Sequence, residues 1–142
     1  TGAQARARQS RQALALALVD VDDFKKLNDA LGHAAGDDAL RHLATVLKER
    51  LRPTDAVARY GGEEFVILLP GANLSDAQDT LVRLQREMTR HVFLFDAHRR
   101  FITFSAGVTP VRPDDTLLAA VARADDAMYR AKREGKNCVR VG

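Results

Sequence analysis

The stretch Ala13-Leu-Ala-Leu-Ala-Leu-Val19 is apolar at every position and stops abruptly at Asp20. Read as a strand, it has no polar face, so it must lie in the middle of a sheet covered on both sides. Over so short a run a buried helix has the same pattern. The order of the later segments favours the sheet.

Residues 22–31 form a short helical pattern closed by Gly32. A second helix is expected from Asp37, an N-cap residue type, with Leu40, Leu43, Ala44, Leu47 and Leu51 on one face and Pro53 as its stop. Residues 56–60 and 65–69 read as a hairpin around Gly61-Gly62, two positions able to take positive φ, with Pro70-Gly71 at its end. Ser75-Asp-Ala-Gln78 predicts a capping box for a helix carrying Ala77, Leu81, Leu84 and Met88. Residues 92–95 and 101–108 read as strands joined by a polar turn. Asp114 or Asp115 is expected to open a last helix closed by Gly135, and residues 137–141 a final strand. This mixed order, with helices crossing between strands, predicts one α/β sandwich domain; 142 residues suffice for a real core.

Composition narrows the partners. Lys and Arg number 22 against 19 acids, so the charge allows an anionic ligand, and no basic run or aromatic-basic interleaving points to a nucleic acid polymer. Cys138 is alone, which fits a reducing, cytoplasmic setting. The longest apolar run is far too short to span a bilayer, so no direct membrane contact is expected of this domain.

The chemistry collects at the strand ends. Asp20 and Asp22 lie where the buried strand stops, a common place for ligand sites in such folds. Glu63 and Glu64 stand at the mouth of the hairpin. If the hairpin pairs beside the first strand, Asp20 meets one of them, and carboxylates so placed need a cation such as Mg²⁺ or Mn²⁺. Solvated acids at strand ends would look the same, and these residues alone weigh the two readings evenly.

Four segments, in order, carry a resemblance: Val19-Asp-Val-Asp-Asp-Phe-Lys-Lys-Leu-Asn-Asp29, Gly32-His-Ala-Ala-Gly-Asp37, Gly61-Gly-Glu-Glu-Phe65 and Tyr129-Arg-Ala-Lys-Arg-Glu-Gly-Lys-Asn137. From about Leu14 to the C-terminus the chain resembles the GGDEF family of diguanylate cyclases, with Glu63 where the family usually has Asp. The resemblance implies a palm-like α/β (α+β) fold, a mixed, mainly antiparallel sheet flanked by helices. It implies condensation of two GTP to cyclic di-GMP, two divalent metals per active site, and a transient homodimer. It places the chain as one catalytic domain, residues 1–142, in the C-terminal part of a longer signalling protein that itself could be membrane-anchored. A non-catalytic receptor for cyclic di-GMP or GTP is the competing function.

Carried over by position, Asp20, Glu63 and the Val21 carbonyl bind metal, and Glu64 lies by the ribose to orient or deprotonate its hydroxyl. Gly61 and Gly62 leave room for the nucleotide. Phe24 and Lys25 offer backbone N–H groups to the phosphates, Asn28 and Asp37 read guanine, and Lys132 and Lys136 contact phosphate. Lys136 replaces the usual Arg and loses its bidentate fork. His33 looks structural. Arg52-Pro-Thr-Asp55 resembles the family's inhibitory product site, joined by Arg83. The opening departs from the family: residues 1–12 match poorly and are too short for its usual first helix, so that element is truncated or residues between Gly2 and Gln12 are missing.

Overall fold

The computed structural model describes residues 13–142. The element expected before the first strand falls on residues 1–12, outside the described residues. Strand β1 (Leu14–Val21) is buried along its whole length. It is followed by α1 (Phe24–Leu31), α2 (His33–Arg50), β2 (Ala56–Arg59) and β3 (Glu64–Pro70). Then come α3 (Leu74–Met88), β4 (Phe93–Phe95), β5 (His98–Arg100), β6 (Phe104–Pro110), α4 (Leu117–Arg133) and β7 (Val139–Val141). The main sheet has the order β2-β3-β1-β6-β7. Its pairs are antiparallel except β6 with β7.

The small–large alternation of β1 matches what covers each face. Ala15, Ala17, Val19 and Val21 face a core built with Leu40, Leu43 and Leu47 of α2 and Leu81 and Leu84 of α3. Leu14, Leu16 and Leu18 face the other way, onto Ala120, Ala124 and Met128 of α4. Bulky strand residues thus meet a helix of small ones, and small strand residues meet helices rich in leucine. The interdigitation fills both layers. At Gly107 of β6 the α4 backbone comes so close that an added Cβ would lie 1.9 Å from the Ala124 carbonyl oxygen.

Several local expectations are corrected. α2 starts at His33, with Gly32 (φ 93°) at its cap, so Asp37 lies a turn inside the helix rather than capping it. Gly36 is accommodated there because Asn28 of α1 lies against it. The cap of α3 is Asn73, which accepts from the Asp76 N–H at 2.8 Å, and Ser75 sits within the helix. Thr116 caps α4; Asp115 is drawn to the Arg123 guanidinium and to the Arg112 N–H. Residues 98–100, expected as a turn, are the second strand of a separate β4–β5 hairpin, and β6 begins only at Phe104.

Candidate active site

β1 and β3 run antiparallel in a register that places Asp20 opposite Glu64, and the Val21 N–H donates to the Glu63 carbonyl at 3.2 Å. The hairpin therefore lies beside the first strand, and Asp20, Glu63 and Glu64 share one edge of the sheet. Burial pushes the Asp20 carboxyl above its ordinary value, against the pull of Lys132. Glu63 and Glu64 are also raised, first by burial and then by the Asp20 charge; Asp125 of α4 adds to the effect on Glu64. Carboxyls that raise one another in this way favour a neighbouring cation.

A cation is already there. The Lys132 ammonium lies 2.9 Å from Asp20 Oδ1, 3.0 Å from the Val21 carbonyl oxygen and 3.1 Å from Asp22 Oδ1. It stands on two of the oxygens read from the sequence as metal ligands, and burial lowers its affinity for the proton less than Asp20 and Asp22 raise it. Hard oxygens that already hold a positive group suit Mg²⁺ or Mn²⁺. Among the described residues no three His, Cys, Asp or Glu side chains form a closed metal cage. Mg²⁺ commonly takes only one or two protein carboxylates and completes its shell with water and phosphate oxygens.

Asp22 has a different part. Its carboxylate accepts from Thr103 Oγ1 (2.8 Å), Ser105 Oγ (2.6 Å), the Asn137 N–H (2.9 Å) and Lys132. It ties the end of β1 to β6 and to the turn after α4. Asp22 was visible in the sequence as a strand-end acid, but this network was not; its signal was Ser105, a fully buried hydroxyl in the mostly apolar strand β6. Lys136 pairs with Asp23, and Lys136 and Asn137 both adopt left-handed φ, which turns the Asn137 N–H toward Asp22.

The glycine turn differs from expectation. Neither Gly61 nor Gly62 has positive φ. The loop spans residues 60–63 instead of a two-residue turn, and Arg59 clamps it, donating from Nη2 to the Gly62 carbonyl at 2.6 Å and from Nε to the Gly61 carbonyl at 3.3 Å. An added Cβ would meet nothing within 4 Å at Gly62, and only the Glu64 side chain at Gly61. The glycines keep this face open. Arg59 was overlooked in the sequence, where an Arg before a turn carries no distinctive signal.

On the α1 side, Asp23 makes no side-chain cap, so the first-turn N–H groups at Phe24 and Lys25 are left without one. Asn28 Oδ1 is buried with no hydrogen-bond partner. An orphaned acceptor of this kind costs about 1–3 kcal/mol, which is consistent with a place kept for a ligand. Asp37 is exposed and lies at one end of a groove of about 470 Å³, with Leu40, Arg41, Arg59 and Phe65.

Arg52 and Asp55 lie elsewhere. The Arg52 guanidinium donates to both Asp55 oxygens, at 2.8 and 3.3 Å, and to the Pro70 carbonyl at 2.8 Å. The Asp55 side chain is only 2% exposed, so its carboxylate faces the turn, while Arg52 remains half exposed. A groove of about 550 Å³ runs from Arg52 past Asp76, Asp79 and Thr80 to Arg83 and Arg86. Pro70 and Glu64 are opposite ends of β3, about 20 Å apart at the rise of a strand.

Comparison with known proteins shows the family and the fold. A sequence model of the diguanylate cyclase GGDEF domain matches residues 1–138. The diguanylate cyclase DgcP of Pseudomonas aeruginosa is 44% identical over 128 residues, 90% of this chain and 19% of that protein. DgcZ of Escherichia coli is 41% identical over 124 residues, 87% of this chain and 42% of the relative. The chain thus spans less than half the length of these curated relatives. Among solved structures, the active GGEEF domain of a diguanylate cyclase from Vibrio cholerae superposes with a TM-score of 0.89 at 32% identity, covering 99% of this chain and 89% of that one. The GGDEF domain of DgcB from Caulobacter crescentus, solved with c-di-GMP, gives 0.92 at 33% identity, covering 99% and 84%.

Proposed function

Because the chain belongs to the GGDEF family, we propose that it is a diguanylate cyclase, condensing two GTP into cyclic di-GMP with release of two pyrophosphates. The observation that carries this reading is the convergence of Asp20, Glu63 and Glu64 on one sheet edge next to an open glycine turn. In each half-reaction the 3′-oxygen of one GTP bonds to the α-phosphorus of the other, the bond to pyrophosphate breaks, and the hydroxyl proton leaves to a base. Two divalent ions, bound by Asp20, Glu63 and the Val21 carbonyl, would supply charge neutralisation at the triphosphate and acidify that hydroxyl.

The chain's own residues do the rest. Glu64, raised by burial and its acidic neighbours, holds or accepts the hydroxyl proton. The N–H groups of Phe24 and Lys25 face the phosphates from a helix start. Asn28 and Asp37 read guanine, whose N1–H and N2–H₂ donors suit a carboxylate and which adenine lacks. Lys132 and Lys136 turn to phosphate once it arrives.

The described residues hold one such set of groups, so two subunits must face each other with one GTP apiece, in a transient antiparallel homodimer. Product at the distant groove is held by Arg52 and Arg83, with Asp55 fixing Arg52, and keeps the subunits from meeting. None of the described helices is long and apolar enough to cross a membrane. As a cyclase drawing on cellular GTP, the domain would act in the cytoplasm as the catalytic part of a longer signalling protein.

The test is incubation of the purified chain with GTP and Mg²⁺, with products resolved by chromatography. Pyrophosphate together with cyclic di-GMP supports the reading, and binding without turnover favours a receptor. Specific activity should rise with enzyme concentration; a flat profile across a wide dilution series refutes the dimer.

A further inference from the structure

Lys132 puts its ammonium inside the carboxylate cluster, with its side chain 22% exposed. Besides Asp20 Oδ1, the Val21 carbonyl and Asp22 Oδ1, it reaches the Asp20 carbonyl at 3.5 Å. The first two oxygens are those assigned above to a divalent ion, and the inference rests on that assignment. A lone pair aimed at an ammonium is not free for a metal, and two cations on the same oxygens repel each other. Either the lysine or the metal holds them.

We propose that Lys132 is a tethered cation that keeps free divalent metal out of the empty site and gives way only to metal arriving with a nucleoside triphosphate. The triphosphate provides what a bare ion lacks, anionic oxygens to take the displaced ammonium. The surroundings are built for that exchange. Asp22 stays satisfied when Lys132 leaves, because Thr103, Ser105 and the Asn137 N–H still donate to it. Asp20 is paired with Lys132 and requires a cation in return. The long, unbranched lysine stem permits the swing without moving α4.

The experiment measures Mn²⁺ binding to the 142-residue chain by loss of the free-ion electron paramagnetic resonance signal, with and without a non-hydrolysable GTP analogue, each titration set against a protein-free blank because the triphosphate itself binds Mn²⁺. Wild type should bind Mn²⁺ weakly alone and tightly with the analogue. Lys132→Met should bind Mn²⁺ alone about 10- to 100-fold more tightly, the equivalent of one charge-assisted hydrogen bond no longer in competition. Lys132→Arg keeps the cation and should stay weak. Lys26→Met removes an exposed charge 3.8 Å from Asp23 and should change binding by less than about threefold. Lys132→Gln carries the same comparison if the Met variant does not fold.

Equal gains in the Lys132 and Lys26 variants would mean a general field effect and overturn the proposal. So would unchanged binding in Lys132→Met, even where Asp20→Asn abolishes the analogue-dependent binding and the metal assignment stands. If wild type takes up no Mn²⁺ even with the analogue, the metal assignment itself falls.

Discussion

Gly36→Ala should make the domain more stable and worse at binding GTP. An ideal Cβ at this position lies 1.8 Å from Asn28 Oδ1, 2.8 Å from its Cγ and 3.1 Å from Phe24 Cζ. The nearest atom ends a side chain, so Asn28 can rotate away while the helix backbone stays. The substitution gains about 1 kcal/mol of helix propensity. Moving a buried acceptor that has no partner toward water recovers part of its cost of about 1–3 kcal/mol. Against this stands a less favourable Asn rotamer, about 0.5–1.5 kcal/mol. The net is a stabilisation of about 1–2 kcal/mol, or about 3–6 °C in Tm for a domain of this size. The loss falls on the ligand: without Asn28 facing the base, affinity for GTP should drop about tenfold, the worth of one hydrogen bond. Thermal unfolding of the free domain and calorimetric titration with a non-hydrolysable GTP analogue read the two effects separately. A Tm below wild type would show that Phe24 and Asn28 cannot yield. Unchanged affinity would show that Asn28 is not a base reader.

Gly107→Ala is the counterpart, because its Cβ would meet backbone, 1.9 Å from the Ala124 oxygen and 2.5 Å from the Met128 nitrogen; a loss of about 1–3 kcal/mol or more is expected in denaturant unfolding. Glu63→Gln should lower kcat by about 10²–10³-fold in the chromatographic assay, and a near wild-type rate at saturating metal refutes its role as a ligand. The same variant should be more stable than wild type at pH 7. A raised carboxyl pKa costs the native state stability above the folded value, and the cost disappears as pH falls to the ordinary 4.5, so the Tm difference should close there. Asp115→Asn should melt a few degrees lower at neutral pH. Arg123 holds the Asp115 carboxyl down to about 2, so this stabilisation is complete above its usual 3.8 and is lost as pH falls through 2. Arg52→Ala should raise the cyclic di-GMP concentration needed for half-inhibition by about tenfold or more, and an unshifted inhibition curve refutes the product site.

The sheet was legible where the chain had little choice. β1 is apolar on both faces and could only be central, and once β3 paired beside it Asp20 and Glu64 had to meet. The helix starts were harder to read, because short polar residues cluster at each. Asn73 and Thr116 capped their helices, while Ser75 lay within α3 and Asp115 was taken by Arg123, eight residues on. β5 could not be seen at all: His98, Arg99 and Arg100 are exposed on both faces, and only backbone pairing with Phe93–Phe95 makes them a strand. Within the site, the residue types showed the acids. What escaped were contacts made at long range, Asp22 to Thr103 and Ser105 and Lys132 onto Asp20, which no local pattern encodes.

β3 works as a ruler. It is bonded to β1 from end to end and to β2 over four residues, and a strand held on both flanks neither bends nor slides a register without breaking the sheet. A ligand in the groove near Pro70 therefore has no lever by which to reshape the pocket at Glu64. On the proposed reading such a ligand acts as a spacer between molecules, and the grip of a lone subunit on GTP should be indifferent to it. If the active unit is the proposed pair of facing subunits, a chain able to bind the spacer should still obstruct one that cannot, since one occupied partner suffices to keep the pair apart.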